Sequence, residues 1–134
     1  MKAIRAKVTK TLTTGSYLKC DDNSGAKTLM IIGVKKYKGV RSRYPKAGVG
    51  DLVICSVRKG DPKMVGTKVL AVIIRQRKEY RRYVGYRIAF EDNAAVIVNE
   101  DGVPVATEIK GLVAREVAER FPKVAGLSQG VVWW

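Results

Sequence analysis

Histidine is absent from the 134 residues, and cysteine occurs only as Cys20 and Cys55. Without an imidazole neither thiol has the base that papain-type catalysis requires, and two cysteines alone supply too few ligands for a zinc site. Two are also too few for a disulfide framework, so both read as small buried hydrophobes. Acidic residues are scarce as well: 12 Asp plus Glu stand against 26 Lys plus Arg, a net charge of +14 at pH 7. Self-repulsion of that size disfavours the compact state until an anionic partner neutralises it, which points to nucleic acid or an anionic membrane surface. No run of about 18 apolar residues is present to span a bilayer. The start, MKAIRAKVTKTL, scatters charge where a signal peptide would have an apolar core. A cytosolic protein without a membrane partner is expected.

What is present is unevenly distributed. Residues 1–90 carry 22 basic and 5 acidic side chains, a balance of +17, whereas residues 91–134 carry 4 and 7, a balance of −3. One region faces a polyanion and the last third faces something else. The length and the 46% hydrophobic content suit a single domain over residues 1–134 with a modest core.

Short apolar runs dominate: TLMIIGV (28–34), DLVICSV (51–57), KVLAVII (68–74), YRIAF (86–90) and AAVIV (94–98). Each has strand length and is rich in Val or Ile. The intervening DDNSGA, AGVGD, KGDP and NEDG concentrate the residues that tight turns demand. This rhythm predicts a mainly β fold, a small closed barrel over about residues 1–108, since closure removes exposed strand edges. A C-terminal helical part follows over about 109–134. In LVAREVAERF (112–121), Val113, Val117 and Phe121 recur at four-residue intervals, and Pro122 marks the helix end.

Two basic, aromatic stretches interrupt the barrel pattern. RQRKEYRRYVGYR (75–87) has six basic residues, three tyrosines and one acid, and KKYKGVRSRYPKAG (35–48) has no acid at all. Arginine forks match phosphate oxygens, and tyrosine rings offer a face to an unstacked base. The plainer reading is a solvated charged loop, but it leaves the near absence of acids unexplained. The residues expected on RNA are Lys35, Lys36, Lys38, Arg41, Arg43 and Tyr44 in the first stretch, and Arg75, Arg77, Lys78, Tyr80, Arg81, Arg82, Tyr83 and Arg87 in the second. Lys59, beside the KGDP turn, joins them. On the near-neutral C-terminal part, Thr107, Glu108, Arg115, Glu116 and Lys123 give a mixed surface better suited to a protein partner or a light touch on RNA, as at a bridge, than to bulk phosphate binding.

No catalytic, metal or cofactor site is expected. The carboxylates Asp21, Asp22, Asp51 and Asp61 all lie in turn-forming clusters, where Asp serves the backbone, rather than in a convergent set for metal-dependent cleavage. Asn93, between two apolar segments, is expected to hydrogen-bond nearby backbone. The competing function is a free-standing single-strand RNA-binding barrel. It would carry a stacking face on its strands, whereas Tyr37, Tyr44, Tyr80 and Tyr83 cluster in the loop stretches.

CDDNSGAK, AGVGDLV, VRKGDP, AVIIRQRKEYRR and FEDNAAVIVN occur in the order seen in the universal ribosomal protein family numbered fourteen in the large subunit. The resemblance runs from about residue 17 to about residue 125. Its signature is Ala71, Val72, Ile73 and Ile74, a basic stretch, Gly85, Phe90, Asn93, and then Val96 and Ile97. Val84 departs from it, standing where the family has Asp, Asn or Ser. IRQRKEYRR and the tail REVAERFPKVA resemble the archaeal and eukaryotic branch, the archaeal above all. The resemblance implies a five-stranded barrel with a projecting β-hairpin and C-terminal helices, seated on large-subunit rRNA. It also implies a bridge to small-subunit rRNA, neighbouring large-subunit proteins, and docking of the anti-association initiation factor six at the C-terminal region.

Overall fold

The computed structural model describes residues 4–35, 39, 41–82 and 85–132. Its chain order is β1 (Tyr17–Cys20), β2 (Ala26–Val34), β3 (Leu52–Gly60), β4 (Lys68–Arg75), β5 (Tyr80–Arg81), β6 (Arg87–Ile88), β7 (Ala94–Val98), β8 (Leu112–Ala114), α1 (Arg115–Arg120), α2 (Pro122–Leu127) and β9 (Gly130–Val132). Strands β1, β2, β3, β4 and β7 form a closed barrel in that order. All neighbours are antiparallel except β1 and β7, which close the barrel in parallel through Lys19 opposite Ala94 and Cys20 opposite Ala95.

The apolar patterning explains two layers of core. Side chains alternate across a strand, so one set points into the barrel: Leu18, Leu29, Ile31, Val53, Cys55, Val57, Ala71, Ile73, Ala95 and Ile97 form the interior. The other set, Val72, Ile74, Ala94, Val96 and Val98, points outward on β4 and β7, where it meets Ile109, Val113, Val117, Phe121 and Val124 of the C-terminal part. Strands β4 and β7 are therefore apolar on both faces and read as continuous hydrophobic runs. Cys55 and Cys20 are buried free thiols, pushed up to about 12, mainly by burial.

Two expectations are corrected. The first barrel strand is Tyr17–Cys20, and the apolar run at 86–90 supplies only the two-residue β6, which pairs with β5 outside the barrel. The helix expected over 112–121 begins at Arg115; Leu112–Ala114 instead forms a parallel pair with Gly130–Val132. Pro122 does end α1, but it also opens α2 at a first-turn position, where its missing N–H leaves no helical bond unmade.

Candidate nucleic-acid interface

In the loop leaving β2, the described residues Lys35, Arg41 and Arg43 are exposed, and Tyr44 is 77% exposed. Lys59 is exposed near the end of β3. In the second stretch Arg77, Lys78, Arg81 and Arg87 are exposed. The hairpin base is closed by the Arg82 N–H donating to the Tyr86 carbonyl at 2.9 Å, and the Lys7 N–H donates to the Arg81 carbonyl at 2.9 Å, fastening the N-terminal segment alongside. Glu79, the lone acid here, lies 3.3 Å from Lys78 and 3.7 Å from Arg87. Lys36, Lys38 and Tyr83, with Tyr37 and Val84, lie outside the described residues.

Three side chains expected on RNA are turned inward. Arg75 is 8% exposed; its Nε donates to Asp92 Oδ1 at 2.9 Å, Nη1 donates to the Leu112 carbonyl at 2.8 Å, and Nη2 bonds to Asp21 Oδ2. Burial opposes its charge, but hydrogen bonds with Asp92 and Asp21 outweigh that and hold it protonated more firmly than usual. Gly111, at φ +81°, lets the chain pass close by: a Cβ there would sit 2.6 Å from Arg75 Nη1. Tyr80 is fully buried and donates to Glu116 Oε2 at 2.7 Å, while Arg82 Nε donates to Glu116 Oε1 at 2.9 Å and Nη2 to the Val132 carbonyl at 3.0 Å. Burial, then the Glu116 carboxylate, pushes the Tyr80 hydroxyl's pKa up. These three residues bolt the hairpin and β4 to the C-terminal part, and their charged and hydroxyl groups are engaged within the fold.

Glu116 is corrected for the same reason. Only 3% of it is exposed, so it offers nothing to a protein partner. Thr107, Glu108 and Lys123 are exposed, and Arg115 is partly covered while pairing with Glu119 at 3.1 Å. Asn23 braces this surface: its Oδ1 accepts the N–H groups of Thr107 and Glu108 at 3.2 Å, and its Nδ2 donates to Thr107 Oγ1 at 3.0 Å.

The turn carboxylates serve the fold. Asp22 Oδ2 accepts the Ile97 N–H at 3.0 Å and Asp51 Oδ2 accepts the Gly48 N–H at 2.9 Å. Asp21 holds Arg75. Asn93 Oδ1 accepts the Arg77 N–H at 2.9 Å, and its carbonyl accepts the Lys19 N–H across to β1.

The profile of the family described as Ribosomal protein L14p/L23e matches residues 11–132. The chain belongs to this ribosomal protein family. Curated relatives agree along the whole length. The Large ribosomal subunit protein uL14 of Methanothrix thermoacetophila is 54% identical over 132 residues, covering 98% of this chain and all of the relative. The proteins of the same name from Methanocella arvoryzae and Methanocorpusculum labreanum are 50% and 48% identical over the same coverage. All three sources are archaeal, in keeping with the branch that the tail and the basic run resemble. The family is one of ribosomal structural proteins.

Proposed function

We propose that the chain is a structural constituent of the large ribosomal subunit, at work on the cytoplasmic ribosome, and that it holds large-subunit rRNA through its outward basic residues. The observation that carries this reading is the sorting of the arginines. Arg77, Arg81 and Arg87 remain exposed on the hairpin side, where Glu79 is the single acid, while Asp21, Asp92 and Glu116 are engaged by Arg75 and Arg82. Changing Arg77, Arg81 and Arg87 together to Gln is expected to weaken binding to a large-subunit rRNA transcript and to lessen the slope of log affinity against log salt by about 2 to 3, one counterion-release increment per phosphate contact. Filter binding across a salt series reads both quantities. An unchanged slope would make the hairpin merely a solvated one.

The C-terminal part is proposed to meet neighbouring large-subunit proteins, to contribute to the bridge with small-subunit rRNA, and to receive initiation factor six. What supports this is the change in charge from +17 to −3 along the chain, which leaves Thr107, Glu108, Arg115 and Lys123 on a mixed polar surface of the kind found at protein interface rims. Factor binding and subunit joining then compete for one end of the domain. Large subunits carrying Glu108→Arg with Lys123→Glu are expected to assemble normally yet bind the factor about tenfold more weakly. Wild-type affinity in a titration of purified mutant subunits would place the factor elsewhere.

A further inference from the structure

We infer that the groove between residues 10–13 and 43–46 is a seat for one unpaired RNA nucleotide, with its base stacked on Tyr44 and its phosphates held by Arg43, Lys46 and Lys10. The inference rests on the rRNA-binding reading above and adds what form of RNA is read and where. The groove is open to solvent, has a volume of about 370 Å³ and is lined by Lys10, Thr11, Leu12, Thr13, Arg43, Tyr44, Pro45 and Lys46, three cations and no acid. That volume lies in the range of small-ligand sites.

Its walls are built, not incidental. The N–H of Leu12 donates to the Ala47 carbonyl at 3.1 Å, and the Ala47 N–H returns the bond to Leu12 at 2.7 Å. Thr13 Oγ1 donates to the Pro45 carbonyl at 2.6 Å, which pins the residue next to the ring. Buried Leu12 supplies an apolar floor. Two residues before the ring, Ser42 has φ 65°, the only positive value at a non-glycine among the described residues. A side chain in this left-handed region costs of order 1 kcal/mol and persists only where surrounding structure demands it. Here the turn carries Tyr44 outward to 77% exposure, beside cations that Arg43 and Lys46 supply from either side.

The chemistry selects single-stranded over double-stranded RNA. Bases inside an A-form helix are stacked on one another and hide their faces, so a ring on a loop can use only a base already splayed out. Stacking on the ring is tolerant of base identity because every base has a π face, while the three cations secure the backbone on either side. Lys10 is half exposed and its ammonium lies 3.4 Å from Asp51 in the adjoining cleft, so it reaches a phosphate in the groove by leaving that pair, which makes Arg43 and Lys46 the principal phosphate contacts.

The test uses the full chain with a 12-nucleotide oligoadenylate and a 12-base-pair RNA duplex as probes, read by fluorescence anisotropy, with rRNA transcript binding as the control. Tyr44→Leu is expected to weaken oligoadenylate binding about tenfold, the size of one lost base stack, with the salt slope and the duplex affinity unchanged. Tyr44→Phe, which keeps the ring, should stay within about twofold of wild type. Arg43→Gln should instead reduce the salt slope by about 0.7, the increment for one phosphate of a single strand. If wild type binds the rRNA transcript but Tyr44→Leu binds oligoadenylate equally well, the nucleotide seat is refuted and the rRNA reading stands. An equal loss on the duplex would also refute it, since the ring would then touch only backbone. Failure of wild type to bind either rRNA or oligoadenylate would overturn both readings.

Discussion

Replacing Glu116 by Ala is expected to lower the melting temperature by more than about 10 °C. The carboxylate is almost wholly enclosed and accepts from the Tyr80 hydroxyl at 2.7 Å and from Arg82 Nε at 2.9 Å. Its removal leaves a guanidinium buried beside a cavity, a loss of about 3 to 5 kcal/mol for a broken buried pair. In a chain of this size each kilocalorie moves the midpoint by roughly 3 to 5 °C. Glu119→Ala, which deletes only the i,i+4 pair with Arg115, should cost about 0.5 kcal/mol or less. The double change Arg82→Met with Glu116→Leu should regain most of the loss, because it removes the stranded charge along with its partner. Thermal unfolding followed by circular dichroism measures all three, and a Glu116→Ala midpoint no lower than that of Glu119→Ala would contradict the assignment.

Arg75→Ala is expected to be about as severe, by the same accounting of about 3 to 5 kcal/mol. Here the carboxylates left behind are Asp21, enclosed at the end of β1, and the partly exposed Asp92 before β7, with Lys19, itself well exposed, as their remaining cation at 3.5 and 4.0 Å. The Leu112 carbonyl at the start of β8 loses its donor too. One side chain thus ties together four segments distant in sequence. The discriminating measurement is rRNA binding below the variant's unfolding temperature, where the salt slope should match wild type. A slope lowered by about one unit would mean that Arg75 spends its charge on phosphate after all.

The barrel was legible in the sequence where strands are apolar on both faces, as at 68–74 and 94–98, because no other element produces such short, turn-bounded Val and Ile runs. It was not legible at Tyr17–Cys20, whose outward Tyr17 and Lys19 leave too little apolar signal in four residues. Val113, Val117 and Phe121 are all buried as the four-residue spacing implies, yet Val113 sits in a strand. A single buried residue per turn cannot say where a helix begins. The basic stretch was read by composition, which counts charges without saying which way they point. A signal was nonetheless present. Tyr80, Arg81 and Arg82 alternate buried, exposed, buried with the period of a strand, and Glu116 stands beside Val117 on the covered side of α1. An arginine in the inward register needs an acid in another inward register. The long-range closure of residues 10–13 against 43–47, by contrast, left no local trace that would have brought Lys10 and Lys46 to Tyr44.

The parallel closure of the barrel has a consequence for the order in which the molecule can be completed during its own synthesis. Strands β2, β3 and β4 are antiparallel neighbours along the chain and can associate as each emerges. The interior stays open until β7 arrives to meet β1, since loop closure of that span must precede any gain from the contacts it creates. Even then the outward faces of β4 and β7 remain bare, and the cluster of Tyr80, Arg82 and Glu116 lacks its last acceptor until the Val132 carbonyl is in place. A nascent chain caught before that point has a finished barrel and a hairpin not yet fastened to the C-terminal part, with its apolar flank still waiting to be covered.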